Sequence, residues 1–119
     1  YGSLLRPQQP FHARIAHGGF VTGDQGLGHL MLVVENVDEV HRFYCEMLGF
    51  VTSDYVSTPD YGGQRGNFVF MRCNPRHHSL AIGYLPLGRR LGHLMLQVRD
   101  FDDVGRGLDR VLRSPFRQT

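Results

Sequence analysis

The sequence predicts an α+β domain of paired βαβββ modules, the second of them truncated, and an internal repeat is the first reason. Leu27-Gly28-His29-Leu30-Met31-Leu32-Val33-Val34 returns as Leu91-Gly92-His93-Leu94-Met95-Leu96-Gln97-Val98, seven identities in eight at an offset of 64. A repeat of that period marks a duplicated supersecondary unit. The second reason is the change of apolar period after each copy, from a short β-branched run to helical spacing. The third is a set of three β-rich runs between the first helical segment and the second copy.

Each element follows in chain order. Residues 1–25 carry Pro7, Pro10, Gly18, Gly19 and Gly23 without a sustained hydrophobic period, so they read as a connector from an absent N-terminal domain. Gly28 to Val34 is short and apolar, the pattern of a strand buried on both faces. Asn36 with Glu39 three residues on forms a capping box, an N-cap acceptor and a carboxylate that reaches back. Val37, Val40, Tyr44 and Met47 or Leu48 then recur at helical spacing, and Gly49 supplies the left-handed C′ position. Phe50–Val56, Asn67–Cys73 and His77–Tyr84 read as strands, separated by Pro59, Gly62, Gly63, Gly66 and the Asn74-Pro75 turn. Residues 26–86 thus form a first βαβββ module. Residues 91–119 begin a second, in which Phe101, Val104, Leu108 and Val111 give another helical apolar face. Only a strand and a helix fit there, and an opening Tyr1 in place of Met further marks the chain as a piece of a longer protein.

At 119 residues, 41% of them hydrophobic and 20% charged, there is material for one modest globular domain and too little charge for a disordered one. No apolar run nears the ~20 residues that a bilayer requires, which sets a membrane partner aside. Cys45 and Cys73 fit no disulfide framework or zinc spacing, so the expected location is the cytoplasm. Arg106, Arg110, Arg113 and Arg117 fall near one helical face and read as a solvated stripe, with no nucleic acid as partner. Phosphate-binding glycine loops, serine-nucleophile elbows and zinc-protease helices do not occur.

Of seven histidines, His12, His17 and His41 are set aside, whereas His29 and His93 occupy the same position of the repeat. Two modules related by a pseudo-twofold axis bring such residues together, and two imidazoles suit Fe(II), Mn(II), Zn(II), Ni(II) or Co(II) with a carboxylate completing a facial triad. The competing reading is two packed strand histidines preserved by duplication. Glu35, Glu39 and Glu46 are poorly placed for the third ligand, and the repeat offset puts an equivalent last strand near residues 141–148, beyond Thr119. Adjacent strand residues alternate faces, so one of His77 and His78 should face the concave side and could move a proton, or simply bond a loop carbonyl.

Four segments together carry a resemblance. They are Gly26-Leu27-Gly28-His29, Phe43-Tyr44-Cys45-Glu46-Met47-Leu48-Gly49-Phe50, Cys73-Asn74-Pro75-Arg76-His77-His78-Ser79-Leu80-Ala81, and Gly92-His93-Leu94-Met95 followed by Asp102-Asp103-Val104-Gly105. With them the chain resembles the type I extradiol ring-cleaving dioxygenases of the vicinal oxygen chelate superfamily over residues 18–113. The resemblance implies His29 and His93 as ligands of a mononuclear Fe(II), with Mn(II) as the alternative, and His78 as the acid/base. It implies Met31, Phe70 and Leu85 as the aromatic pocket, a catechol-type substrate and O2 as partners, and a homo-oligomeric parent enzyme of aromatic catabolism. The family's glutamate ligand lies past Thr119, so the isolated chain is expected to be nearly inactive. The alternatives of the same fold are a non-catalytic ligand-binding module and a glyoxalase-like isomerase.

Overall fold

The computed structural model describes residues 18–61, 64–86 and 88–115. Its elements are β1 (Gly28–Val33), α1 (Val37–Leu48), β2 (Val51–Tyr61), β3 (Gln64–Arg72), β4 (Leu80–Gly83), β5 (Leu91–Leu96) and α2 (Phe101–Arg113). The strands form one sheet in the order β2-β3-β4-β1-β5. β1 and β4 run parallel across the α1 crossover, and the other neighbours are antiparallel. The expected α+β class and βαβββ order are therefore present, followed by the β5–α2 pair. Of the expected connector, residues 1–17 and with them His12 and His17 lie outside the described residues. Its last part is held in place: Phe20 bridges Val98, and a 3-10 turn, Gly23–Gln25, leads into β1.

α1 forms where its caps predict. The Asn36 side chain accepts the Glu39 N–H at 3.1 Å and donates to Glu39 Oε2 at 3.1 Å, so the box closes on the side-chain amide instead of the Asn36 backbone. Gly49 takes φ 71° and its N–H returns to the Tyr44 carbonyl. The face bearing Val37, Val40, Tyr44 and Cys45 packs on Val69, Met71, Leu80 and Ile82, with Met71 and Ile82 fully buried.

Several expected boundaries shift. β2 and β3 run longer than Phe50–Val56 and Asn67–Cys73, because their ladder continues through Thr58↔Gly66 to Tyr61↔Gln64. β2 is an edge strand, where a proline without an N–H is tolerated, and the register slips around Pro59. β4 is shorter than expected: it begins at Leu80, so His77 and His78 stand in the bend before it. β1 is buried at Gly28 and Met31 but not on both faces throughout. Leu30 and Leu94 face each other across β1–β5 and remain 39% and 49% exposed. The apolar face of α2 forms as expected and is uncovered, with Phe101, Val104, Leu108 and Val111 all exposed. Of the arginines expected as a solvated stripe, Arg106, Arg110 and Arg113 are exposed, Arg106 pairing with Asp102 and Asp103 and Arg113 with Asp109, while Arg117 lies outside the described residues.

Candidate functional site

The site begins with the register of two strands. In the β1–β5 pair, Leu30 faces Leu94, which is its own equivalent in the 64-residue repeat, so a local twofold axis passes between them. His29 then faces Met95 and Met31 faces His93, which puts all four on one face of the sheet. The two imidazoles meet diagonally with Nε2 atoms 3.0 Å apart, one ring donating and the other accepting. The approach requires small residues: a Cβ on Gly28 would stand 1.9 Å from the Met95 carbonyl oxygen, and one on Gly92 would meet Met31 Sδ at 2.3 Å.

His78 reaches the same face by another route. The expected strand alternation does not place it, since it precedes β4. Asn74 Oδ1 accepts the Arg76 N–H at 3.0 Å, the turn that Asn-Pro favours. The Arg76 guanidinium then donates to the Gln25 carbonyl and to Gln97 Oε1, each at 3.2 Å, tying this bend to the 3-10 turn and to the end of β5. Ser79 is pinned on both sides, its N–H to the Met71 carbonyl and its carbonyl to the Leu30 N–H. The His78 ring is thereby held 4.2 Å from that of His29 and 4.9 Å from that of Phe70. His77 is exposed and touches His78 at 3.0 Å between Nδ1 atoms.

These rings line a cavity of about 380 Å³. Its wall holds His29, His78 and His93 together with Met31, Phe70 and Leu85, so every residue singled out for the site lines one space. Reading the sequence missed Thr58, Phe68, Ala81 and Gly92, which line it too. Alternation along β3 from Phe70 would have found Phe68. Met31, Ala81 and Leu85 are the buried residues of this face, with Val33, Phe68 and Phe70 packed on them. Burial first, and then the His29, His77 and His93 rings and the Arg76 guanidinium, push the His78 imidazole down to about 4. Burial, then His93 and Arg76, hold His29 below the usual imidazole range. The His29 and His78 rings are thus neutral at pH 7, the state in which imidazole binds a metal or accepts a proton.

Two converging imidazole nitrogens are a donor set that fits a borderline divalent ion such as Fe(II). The set is partial: among the described residues no group of three or more His, Cys, Asp or Glu side chains has the arrangement of a metal site. Glu39 belongs to the α1 cap, and His41 bonds Thr52 Oγ1 at 2.7 Å.

The family model of the glyoxalase/bleomycin resistance protein/dioxygenase superfamily matches residues 26–115. The chain belongs to this superfamily. Within the superfamily it is 41% identical over 111 residues to the biphenyl-2,3-diol 1,2-dioxygenase of Metapseudomonas furukawaii, covering 93% of this chain and 37% of that protein. It is 42% identical over 110 residues to the 3-methylcatechol 2,3-dioxygenase of Pseudomonas putida, covering 92% and 38%. An iron-dependent extradiol dioxygenase of Rhodococcus jostii is 41% identical over 106 residues, covering 84% and 35%. A crystal structure of catechol 2,3-dioxygenase superposes with a TM-score of 0.71 at 41% identity, over 84% of this chain and 33% of that one. The chain spans about a third of the length of these extradiol dioxygenases. No described helix is long and apolar enough to cross a membrane.

Proposed function

We propose that this chain is the part of an extradiol dioxygenase that supplies two metal ligands, the acid/base and most of the aromatic pocket. One observation carries the reading: His29 and His93 converge at 3.0 Å with His78 beside them in the wall of a mainly apolar cavity. In it, residues 26–86 are the first module of the catalytic domain, 91–119 the start of the second and 1–25 the link from a preceding domain. The parent enzyme is a cytoplasmic homo-oligomer.

His29 and His93 would hold the metal through Nε2. A bound Fe(II), or Mn(II) in its place, would supply Lewis-acid activation of the catechol and let electrons pass from ring to dioxygen. His78, neutral and within ring contact of His29, accepts the proton of a catechol hydroxyl and returns it as the ring opens beside the diol. Both atoms of O2 enter the product, a hydroxymuconic semialdehyde type of dienoate. Met31, Phe70 and Leu85 hold the ring and exclude water, which strengthens the charge interactions around it.

The test is made in the parent enzyme loaded anaerobically with Fe(II). His78→Gln should keep the iron content and lose ring cleavage by about a hundredfold or more, the scale of general acid–base catalysis. His29→Ala and His93→Ala should lose both iron and cleavage. Full iron content in either of these two, or undiminished cleavage by His78→Gln, sinks the assignment. Because the chain of residues 1–119 offers two ligands, we expect it to bind Fe(II) weakly and turn over little catechol; robust cleavage by it would contradict this.

A further inference from the structure

Gln97 is the one position in eight at which the repeat departs from itself, for its equivalent 64 residues earlier is Val33. Val33 packs against the buried Met31, Ala81 and Leu85. Gln97 instead makes polar contacts with two other segments. Its backbone carbonyl accepts the Val21 N–H of the incoming arm at 2.8 Å. Its side-chain Oε1 accepts from both Nη groups of Arg76, each at 3.2 Å, in the bend that carries His78. The same guanidinium donates through Nε to the Gln25 carbonyl at the end of the arm. Arm and bend also touch at Gly26, where a Cβ would stand 2.7 Å from Asn74 Nδ2. The arm, the end of β5 and the bend thus meet at one guanidinium, and Gln97 joins all three, by its backbone to the arm and by its side chain to the bend.

The junction bears on the chemistry because His78 stands ahead of β4, which begins at Leu80, so its ring is placed by whatever holds the bend. A proton acceptor must lie within hydrogen-bond reach of the group it serves. A displacement of about 1 Å caused by a change far from the chemistry can cost on the order of a hundredfold in rate. We propose that Gln97 is a positioning residue for proton transfer: by holding Arg76 it keeps the bend, and with it the His78 ring, in place beside His29. The proposal rests on the dioxygenase reading for what His78 does, and it gives the β5 segment a task besides supplying His93. An amide oxygen has two lone pairs and can take both arms of the fork, and a carboxylate can do the same, whereas valine offers no acceptor.

The experiment compares Gln97→Val, which restores the residue of the first copy, with Gln97→Glu, which keeps an acceptor for the fork. In NMR of the chain of residues 1–119, Gln97→Val should shift or broaden the His78 ring resonances and leave those of α1 in place, and Gln97→Glu should return them toward the wild-type positions. In the parent enzyme loaded anaerobically with Fe(II), Gln97→Val should lower kcat about tenfold, with KM and iron content within about twofold of the wild type. Gln97→Glu should hold kcat within about threefold of the wild type. Arg76→Lys/Gln97→Val should be no slower than Arg76→Lys alone, because both substitutions act through one contact. Should Gln97→Val aggregate, Gln97→Ser, polar but too short for the fork, should show the same losses. Unmoved His78 resonances or an undiminished kcat in Gln97→Val, no recovery in Gln97→Glu, or multiplying losses in the double variant overturns the proposal. Loss of iron in Gln97→Val also overturns it, since Gln97 would then be a support for His93. A parent enzyme that cleaves no catechol would overturn the dioxygenase reading, while the NMR comparison would still report whether Gln97 holds the bend.

Discussion

His29 and His93 each contribute one Nε2 to a point that neither could define alone, so removing either breaks the convergence. We expect His93→Ala to weaken Fe(II) binding by the chain at least tenfold in anaerobic equilibrium dialysis, and His78→Ala to change it by less than threefold. Equal losses in the two would place His78 among the ligands. In the core, Met71 is fully buried between α1 and the sheet. Met71→Ala should cost about 2–5 kcal/mol of unfolding free energy in urea, the range for deleting a buried methionine side chain. A loss under 1 kcal/mol would show that the layer collapses around the gap.

α1 is held by its ends as much as by its face. Asn36→Ala removes the acceptor for Glu39 N–H and should cost about 1 kcal/mol, while Asn36→Asp should keep most of the cap. Thermal unfolding of the two variants side by side distinguishes the cap from a general effect of substitution. The bend Cys73–Ser79 depends on the Arg76 fork, which donates two N–H groups to Gln97 Oε1 and one to the Gln25 carbonyl. Lysine cannot reproduce that planar geometry. Arg76→Lys should therefore broaden or shift the His78 ring resonances in NMR while leaving those of α1 in place; an unmoved His78 would mean that the Ser79 hydrogen bonds suffice to hold the bend.

At the scale of the molecule, the two helices that the repeat makes equivalent are in opposite situations. Val37, Val40 and Tyr44 of α1 are packed on a core, while their equivalents Phe101, Val104 and Leu108 on α2 are exposed, Phe101 at 89%. An apolar face of that size promotes association in water. We expect the chain of residues 1–119 to self-associate in light scattering, and Leu108→Glu to shift it toward monomer. A monodisperse monomer at millimolar concentration would show that the face is tolerated in solution. The one buried carboxylate of α2, Asp103, takes the Gly18 N–H and pairs with Arg106, which anchors the base of the helix to the incoming arm.

Features carried by short-range chemistry were legible before any coordinates. Asn36, Glu39 and Gly49 mark the ends of α1 because caps are made within a few residues. The repeated Gly-His-Leu-Met identified His29 and His93 because duplication preserves position, and a twofold arrangement turns equal position into contact. His78 was found from its motif, yet alternation along a strand was the wrong reason, since β4 begins two residues later. Its placement rests on Arg76 reaching Gln25 and Gln97, contacts 51 and 21 residues away that no local pattern encodes. Phe68, by contrast, is legible from alternation two residues before Phe70, whereas Thr58, Ala81 and Gly92 join the cavity through three other strands, whose register is set across the sheet. Local propensity and repetition thus determined the elements and the histidine pair. Long-range pairing decided how the third histidine arrives and which side chains share its cavity, because those are distances between residues that only the folded sheet brings together.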